Sequence, residues 1–288
     1  MTDSAKEFFY KLPGMSGGSR PGAHRSRSRG AGMTFASHSR LFDQPDPRRI
    51  DLRASLSGIH REWLVRTHHQ RSSVAIKVVV DVSASMHFGS ARTKLGVAAD
   101  FLDALGFSAH RFGDSVSLMA FDHAVRDDLY MPARRGRGIG LTMAAAIRDC
   151  DAHGAQAGSG EGLAECVDHI AGTGGLVFLV SDFHWSLDSL APILDKLVDV
   201  LVVPLVIWDN AEIEPPEQGS HLSVRDAESG YSRRLWLRKK TRQRWLDNVI
   251  RRREEIAAAF GNSDIHPFHI DGSFEAKPLS RYFLEKVA

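Results

Sequence analysis

The sequence predicts an α/β protein built on a doubly wound, mostly parallel sheet, preceded by a basic arm and followed by a hairpin and helix elaboration. Two observations carry this. Short continuous Val/Ile/Leu runs alternate with stretches of helical apolar spacing, which is the pattern of strands buried on both faces by crossover helices. Two of those runs, "VAIKVVVD" and "LVFLVSD", end in aspartate at Asp81 and Asp182. In such folds ligands bind just beyond the carboxyl ends of the strands.

From the N-terminus, residues 13–32 are rich in Gly, Ser, Arg and Pro and predict an irregular arm within a basic segment, 1–40. Residues 41–73 form a separate segment. "LFDQPDPRRIDLRAS" is turn-like through its prolines, and "GIHREWLVRTHHQ" reads as a strand or a short extended piece. The main domain spans 74–288. Its first strand is 74–81, followed by a helix at 92–109 with Leu95, Ala98, Ala99, Leu102 and Leu105 on one face. A second strand at 115–121 pairs with 125–131 as a hairpin at a sheet edge. Helices follow at 141–150 and 162–171, then a strand at 176–182, a helix at 187–198 and a strand at 199–207. The elaboration, at about 209–262, holds a hairpin at 221–237 turning near Ser229-Gly230 and a basic helix at 241–260. A final strand in "DIHPFHI" and a helix at 275–286 close the chain.

Bulk properties narrow the function classes. The 288 residues are 43% hydrophobic and 25% charged, ordinary for a globular protein with a sizeable core. Cys150 and Cys166 have neither zinc-ligand nor disulfide-framework spacing. The segment from Met1 to Tyr10 is polar and acidic with no apolar core of a secretory signal after it. The longest apolar run, 197–208, is 12 residues and contains Asp199, too short to span a bilayer. The expectation is a cytoplasmic protein. Net charge is +2, but six Lys/Arg and no acid fall in 11–42, and ten against Asp247 fall in 232–253. Such segments suit an acidic partner or nucleic acid, and equally a solvated arm and helix face.

The candidate chemistry lies at Asp81, Ser83 and Ser85. A strand-end carboxylate and two hydroxyls at spacing two are hard oxygen donors, suited to Mg²⁺ or Mn²⁺. With strand order 3-2-1-4-5-6, the first and fourth strands are neighbours at the topological switch point, which brings Asp182 beside them. A remaining coordination position would accept a partner's carboxylate. The plainer alternative makes Asp81 a cap and the serines turn residues. A dehalogenase-type phosphatase needs a second carboxylate where Ser83 stands. A P-loop and a G-x-S-x-G elbow are absent, and "GRGIG" at 136–140 lacks its strand–helix setting. His68, His69, His87, His184, His266 and His269 are dispersed, with His87 and His184 nearest the candidate ion.

The D-x-S-x-S pattern resembles the metal-ion-dependent adhesion site of von Willebrand factor A domains. Upstream, Gly30, Gly32 and Phe35, then Arg40 and Phe42, then "DPRRIDLRAS" at Asp46 to Ser55 resemble the segment preceding the A-type domain in MoxR-associated bacterial proteins. That family is described mostly as a domain of unknown function, and the length and lack of membrane spans of this chain resemble a member encoded with methanol-oxidation genes. The resemblance implies a non-enzymatic adaptor that works with a MoxR-type AAA+ ATPase in assembly, activation or metal insertion of a client complex. For such a member the client is the methanol dehydrogenase system. It also implies a fifth ligand from a loop threonine, for which Thr142 stands nearest, although the usual Gly-Gly-Thr context is missing. The family's Pro-Gly-Asp-Asp turn is "DQPD" here, and its usual Trp is Leu52. The competing classes are a metal-dependent phosphoryl-transfer hydrolase and a nucleic-acid-binding protein. The latter has only Trp236 and Trp245 as stacking platforms within its basic segment.

Overall fold

Prolines and aspartates organise the stretch from Asp46 to Ser57. The structure, a computed structural model, describes residues 7–10, 12, 21–30, 34–57, 62–150, 158–198, 200–217, 219, 221–225 and 232–287. It divides into two units, Leu12–Val74 and Met1–Lys11 with Ala75–Ala288. In the first unit, strands β1 (Pro21–Gly30) and β2 (Thr34–Arg40) flank β3 (Leu64–Ser72) in an antiparallel sheet of order β1-β3-β2. The irregular reading of 13–32 is therefore corrected over 21–30. A polar segment becomes a strand when a neighbour satisfies its backbone, whatever its apolar content. Between β2 and β3, Asp46 accepts from the Arg48 N–H to cap a 3-10 turn at Pro47–Arg49. Asp51 then opens a short helix, α1 (Leu52–Ser57), which the turn-like reading of this stretch missed. Its carboxylate takes the Ala54 N–H at 3.1 Å, Arg66 Nε at 2.7 Å and His38 Nε2 at 3.1 Å. These partners, the Ala54 N–H first, hold Asp51 well below the usual carboxylate range.

The second unit carries the six-stranded sheet. Its strands are β4 (Ala75–Asp81), β5 (Ser115–Phe121), β6 (Met131–Arg134), β7 (Gly175–Ser181), β8 (Val200–Trp208) and, after β9 (His221–Arg225) and β10 (Ser232–Trp236), β11 (Phe268–Asp271). The order is β11-β8-β7-β4-β5-β6, parallel except for the β5–β6 edge pair. Within this unit that is the expected 3-2-1-4-5-6 order. The edge partner lies further along than expected. Asp127–Leu129 make a 3-10 turn, with Arg126 pairing Asp128, so the strand begins only at Met131. Aspartates are poor strand formers, and the turn displaces the hairpin.

The helices of this unit are α2 (Lys94–Phe112), α3 (Ile139–Arg148), α4 (Gly160–Ile170), α5 (Leu190–Leu194), α6 (Asn210–Ile213), α7 (Lys239–Gly261) and α8 (Ala276–Tyr282). Thr93 caps α2 by accepting from the Gly96 N–H, and Gly113 ends it at φ 75°. The helix expected over 187–198 is shorter. It starts at Leu190, with Pro192 in the first turn where proline is tolerated, and gives way to a 3-10 turn at Asp195–Leu197.

Two apolar layers enclose the sheet. One gathers Val79, Leu179 and Val206 with Val167, Leu194, Ile256 and Phe260 from α4, α5 and α7. The other is aromatic: Phe8 packs against Phe101, Phe178, Phe274 and Phe283. Phe8 and Tyr10 are core residues, with Tyr10 Oη bonding Asp114 at 2.5 Å. The β9–β10 ladder forms as expected, while its turn at Ser229-Gly230 lies outside the described residues.

Candidate functional site

The parallel ladder sets the site. Val80 pairs with Val180 across β4 and β7, so Asp81 and Ser181 emerge side by side at the carboxyl ends. Ser181 Oγ donates to Asp81 Oδ2 at 2.6 Å and accepts from the Phe183 N–H at 2.8 Å. The Ser83 N–H donates to Asp81 Oδ1 at 2.9 Å, an Asx turn that leads into the 3-10 turn Ala84–His87. The turn role weighed for Asp81 is thus present alongside its place in the cluster. Ser83 Oγ and Ser85 Oγ lie 3.2 Å apart, and Asp81, Ser83 and Asp182 are fully buried.

Asp182 follows Ser181, and its carboxylate is held from two sides. Lys94 Nζ donates to Oδ2 at 2.6 Å, and the His184 N–H donates to Oδ1 at 3.1 Å; the Ser85 hydroxyl adds a further bond. Lys94 also reaches Glu212 Oε1 at 2.8 Å. Phe183, between Asp182 and His184, sits in the left-handed region at φ 52°, a strained conformation that neighbouring contacts must impose. Arg252 supplies some of them, donating to the Phe183 and Trp185 carbonyls at 2.6 Å each.

Electrostatics divide the two aspartates. Burial, then the charge of Asp182, pushes the Asp81 carboxyl up to about 6. Burial works the same way on Asp182, but the charges of His184 and Lys94 outweigh it and hold Asp182 below the usual range. Lys94 keeps its charge despite burial because Asp182 and Glu212 flank it.

Asp81, Ser83, Ser85 and Asp182 therefore come together. Thr142 does not join them. It is exposed on α3, and its hydroxyl donates to the Gly138 carbonyl at 3.1 Å. Asp182 meets His184 through the backbone, while the His184 ring stacks on Trp208 and lies 3.5 Å from Glu212.

The sequence reading missed Lys94, Ser181 and Glu212. It also missed Asp122 and Asp209, buried at the ends of β5 and β8. A recurring signal was available for the last two, since "LMAFD" and "LVIWD" repeat the apolar-run-then-Asp pattern of Asp81 and Asp182. Next to this row a cavity of about 420 Å³ opens, lined by Trp208, Glu212 and His184 on the sheet side and by Trp245, Val249 and Arg252 of α7.

The donor set suits a hard divalent cation. It offers two buried carboxylates and two hydroxyls, and among the described residues no ion pair engages Asp81. Burial, and after it the charge of Asp182, raises the Asp81 pKa, and a bound cation would offset both. Asp81, Ser83 and Ser85 would hold such an ion, with Asp182 direct or through water.

The sequence profile of a family described as "Protein of unknown function DUF58" matches residues 45–255. No curated protein matches the chain. Among solved structures, the chain is similar to the conserved hypothetical protein BatB from Bacteroides thetaiotaomicron, at 15% identity over 70% of this chain and 92% of that one, TM-score 0.43. An aerotolerance-related membrane protein from Bacteroides fragilis matches at 14% identity over 75% and 98%, TM-score 0.44. The SpRpn10 VWA domain matches at 13% over 73% and 95%, TM-score 0.39. These likenesses are remote, and the fold class stands on the strand order of the chain itself. No helix among the described residues is long and apolar enough to cross a membrane.

Proposed function

The chain belongs to the DUF58 family of proteins of unknown function, and within it we propose a non-enzymatic, metal-dependent protein-binding adaptor. The observation that carries this is the burial of Asp81 and Asp182 together with Ser83 and Ser85 at the switch-point crevice. Both oxygens of Asp81 accept hydrogen bonds, from the Ser83 N–H and the Ser181 hydroxyl, and these support the reading by holding the carboxylate in one orientation. The bound group is Mg²⁺ or Mn²⁺, and an ion held by these few donors keeps a coordination position for a carboxylate of the partner.

The partner class rests on the resemblance of the "DPRRID" segment and D-x-S-x-S to MoxR-associated proteins. It is a MoxR-type AAA+ ATPase acting on a client complex, and, for a chain similar to MxaS, the client is the methanol dehydrogenase system. The test is affinity capture from native lysate with Mg²⁺ or chelator present. Wild type should recover a AAA+ ATPase in Mg²⁺ and lose it with chelator or in Asp81→Ala. Capture of no such ATPase in Mg²⁺ overturns the adaptor.

One observation favours a second reading. An ion held beside the two buried carboxylates Asp81 and Asp182 is the arrangement with which a metal-dependent phosphoryl-transfer hydrolase would polarise a phosphoryl oxygen. Turnover of simple phosphomonoesters, lost in Asp81→Asn, would establish that reading instead.

A further inference from the structure

Lys94 is the first residue of α2, and its side chain is 1% exposed. A lysine is almost never enclosed so completely unless it is paired, and this one is paired twice. Its ammonium lies between Asp182 Oδ2 at 2.6 Å and Glu212 Oε1 at 2.8 Å, carboxylates from beyond β7 and from α6. Glu212 is fixed independently of Lys94. Its other oxygen accepts the Asp209 N–H at 2.9 Å in the capping box of α6, and Asp209 itself accepts from the Ser90 N–H at 3.0 Å. Asp182 thus faces a resident cation on one side and the serine cluster of the candidate ion site on the other.

We propose that Lys94 is a built-in competing cation that sets the strength of divalent-ion binding at Asp81, Ser83 and Ser85. This rests on the ion reading above. Its positive charge satisfies Asp182 when no ion is bound, so an incoming ion meets both a neutralised ligand and a repelling ammonium. Binding loosens the Lys94–Asp182 pair, and Glu212, held in place by its cap, retains the ammonium. The result is a weak site that binds well only when a partner adds a carboxylate.

The test is calorimetric titration of the full chain with MgCl₂ and with MnCl₂, together with thermal melts, for wild type, Lys94→Met and Glu212→Gln. Lys94→Met should bind the ion roughly ten-fold tighter or more, because a fixed like charge is removed from a low-dielectric site. It should also melt lower than wild type without ion and recover on adding it. Glu212→Gln leaves the ammonium to Asp182 alone, so ion affinity should fall several-fold. A purely structural lysine gives the lower melting with no gain in affinity. Unchanged or weaker binding by Lys94→Met, with wild type binding, overturns the proposal and leaves the ion reading standing. No binding by any of the three overturns both. If Lys94→Met does not fold, Glu212→Gln decides alone, and affinity equal to or above wild type overturns the proposal.

Discussion

Lys94 Nζ and Asp182 Oδ2 meet at 2.6 Å with both side chains out of solvent, across 88 residues of sequence. That pair explains why two neighbouring aspartates behave differently. Asp182 has a cation against it and holds its charge, whereas Asp81 has hydroxyl and amide donors only and is pushed toward neutrality. Pairs of carboxyls driven apart in this way mark sites where charge is handled, whether for binding or for catalysis.

The first prediction uses that division. The Asp81 pKa is raised in the folded protein, so its contribution to stability is complete below its unfolded value near 4 and is lost as pH rises through about 6. Asp81→Asn stays neutral throughout. It should therefore be more stable than wild type near neutral pH by about 1–3 kcal/mol, a range that follows from a shift of about two pK units. The advantage should shrink to nothing by about pH 4. Urea unfolding of both proteins across this range measures it. A constant difference between them at all pH values would show that Asp81 does not titrate in the window.

The second prediction concerns the contact between α2 and α3. A Cβ built on Gly106 would come within 2.3 Å of Gly140 Cα, a backbone atom that no rotamer change can move. Gly106→Ala gains about 1 kcal/mol of helix propensity and must spread the two helices. Overpacking of this kind costs about 1–3 kcal/mol, so the net effect should be a loss. Thermal melts should show a lower midpoint, and a rise would mean the helices separate freely.

What was legible in the sequence is what hydrophobic pattern controls. "VVVD" and "LVFLVSD" are apolar because both sheet faces are covered, and their terminal aspartates mark the crevice, so β4, β7 and the Asp81–Asp182 cluster follow from the letters. Polar residues with tertiary partners are not legible in this way. Lys94 reads as a surface charge at a helix start, because only the arrival of Asp182 and Glu212 makes its burial tolerable. β1 reads as irregular because its pairing with β3, and not its composition, makes it a strand. Phe8 lies in a short aromatic run inside a polar segment, too brief to show any period, yet it is wholly buried. Thr142 was placed by analogy of position, and its own helix captured the hydroxyl.

The third prediction tests what holds the strained turn after β7. Arg252→Ala strands the Phe183 and Trp185 carbonyls, both partly enclosed by α7. Leaving partnered groups unsatisfied costs about 1–3 kcal/mol each when they are fully buried, and less where water can enter from the cavity beside them. A loss of about 1–2 kcal/mol is expected. Hydrogen exchange should show faster exchange at the amides around 183–185 in the variant, with the β4 amides unchanged. Uniform loss of protection would mean that Arg252 serves the whole unit rather than this turn.

The last prediction separates the ligands from the bystander. Thr142→Ala removes an exposed hydroxyl that bonds within its own helix, so stability should change by less than about 0.5 kcal/mol. Ion affinity should not change at all. Ser83→Ala removes a fully buried hydroxyl that faces Ser85 at 3.2 Å. If Ser83 is a ligand, Mg²⁺ and Mn²⁺ affinity should fall by about ten-fold, comparable to losing one charge-assisted bond of roughly 1.5 kcal/mol. Ser85→Ala should behave similarly, and it also frees one bond on Asp182. Mn²⁺ binding followed by electron paramagnetic resonance reads all three variants in one format. Equal affinities for wild type, Ser83→Ala and Ser85→Ala would leave the serines as turn residues. A selective loss in Thr142→Ala would instead require α3 to rearrange when the ion binds.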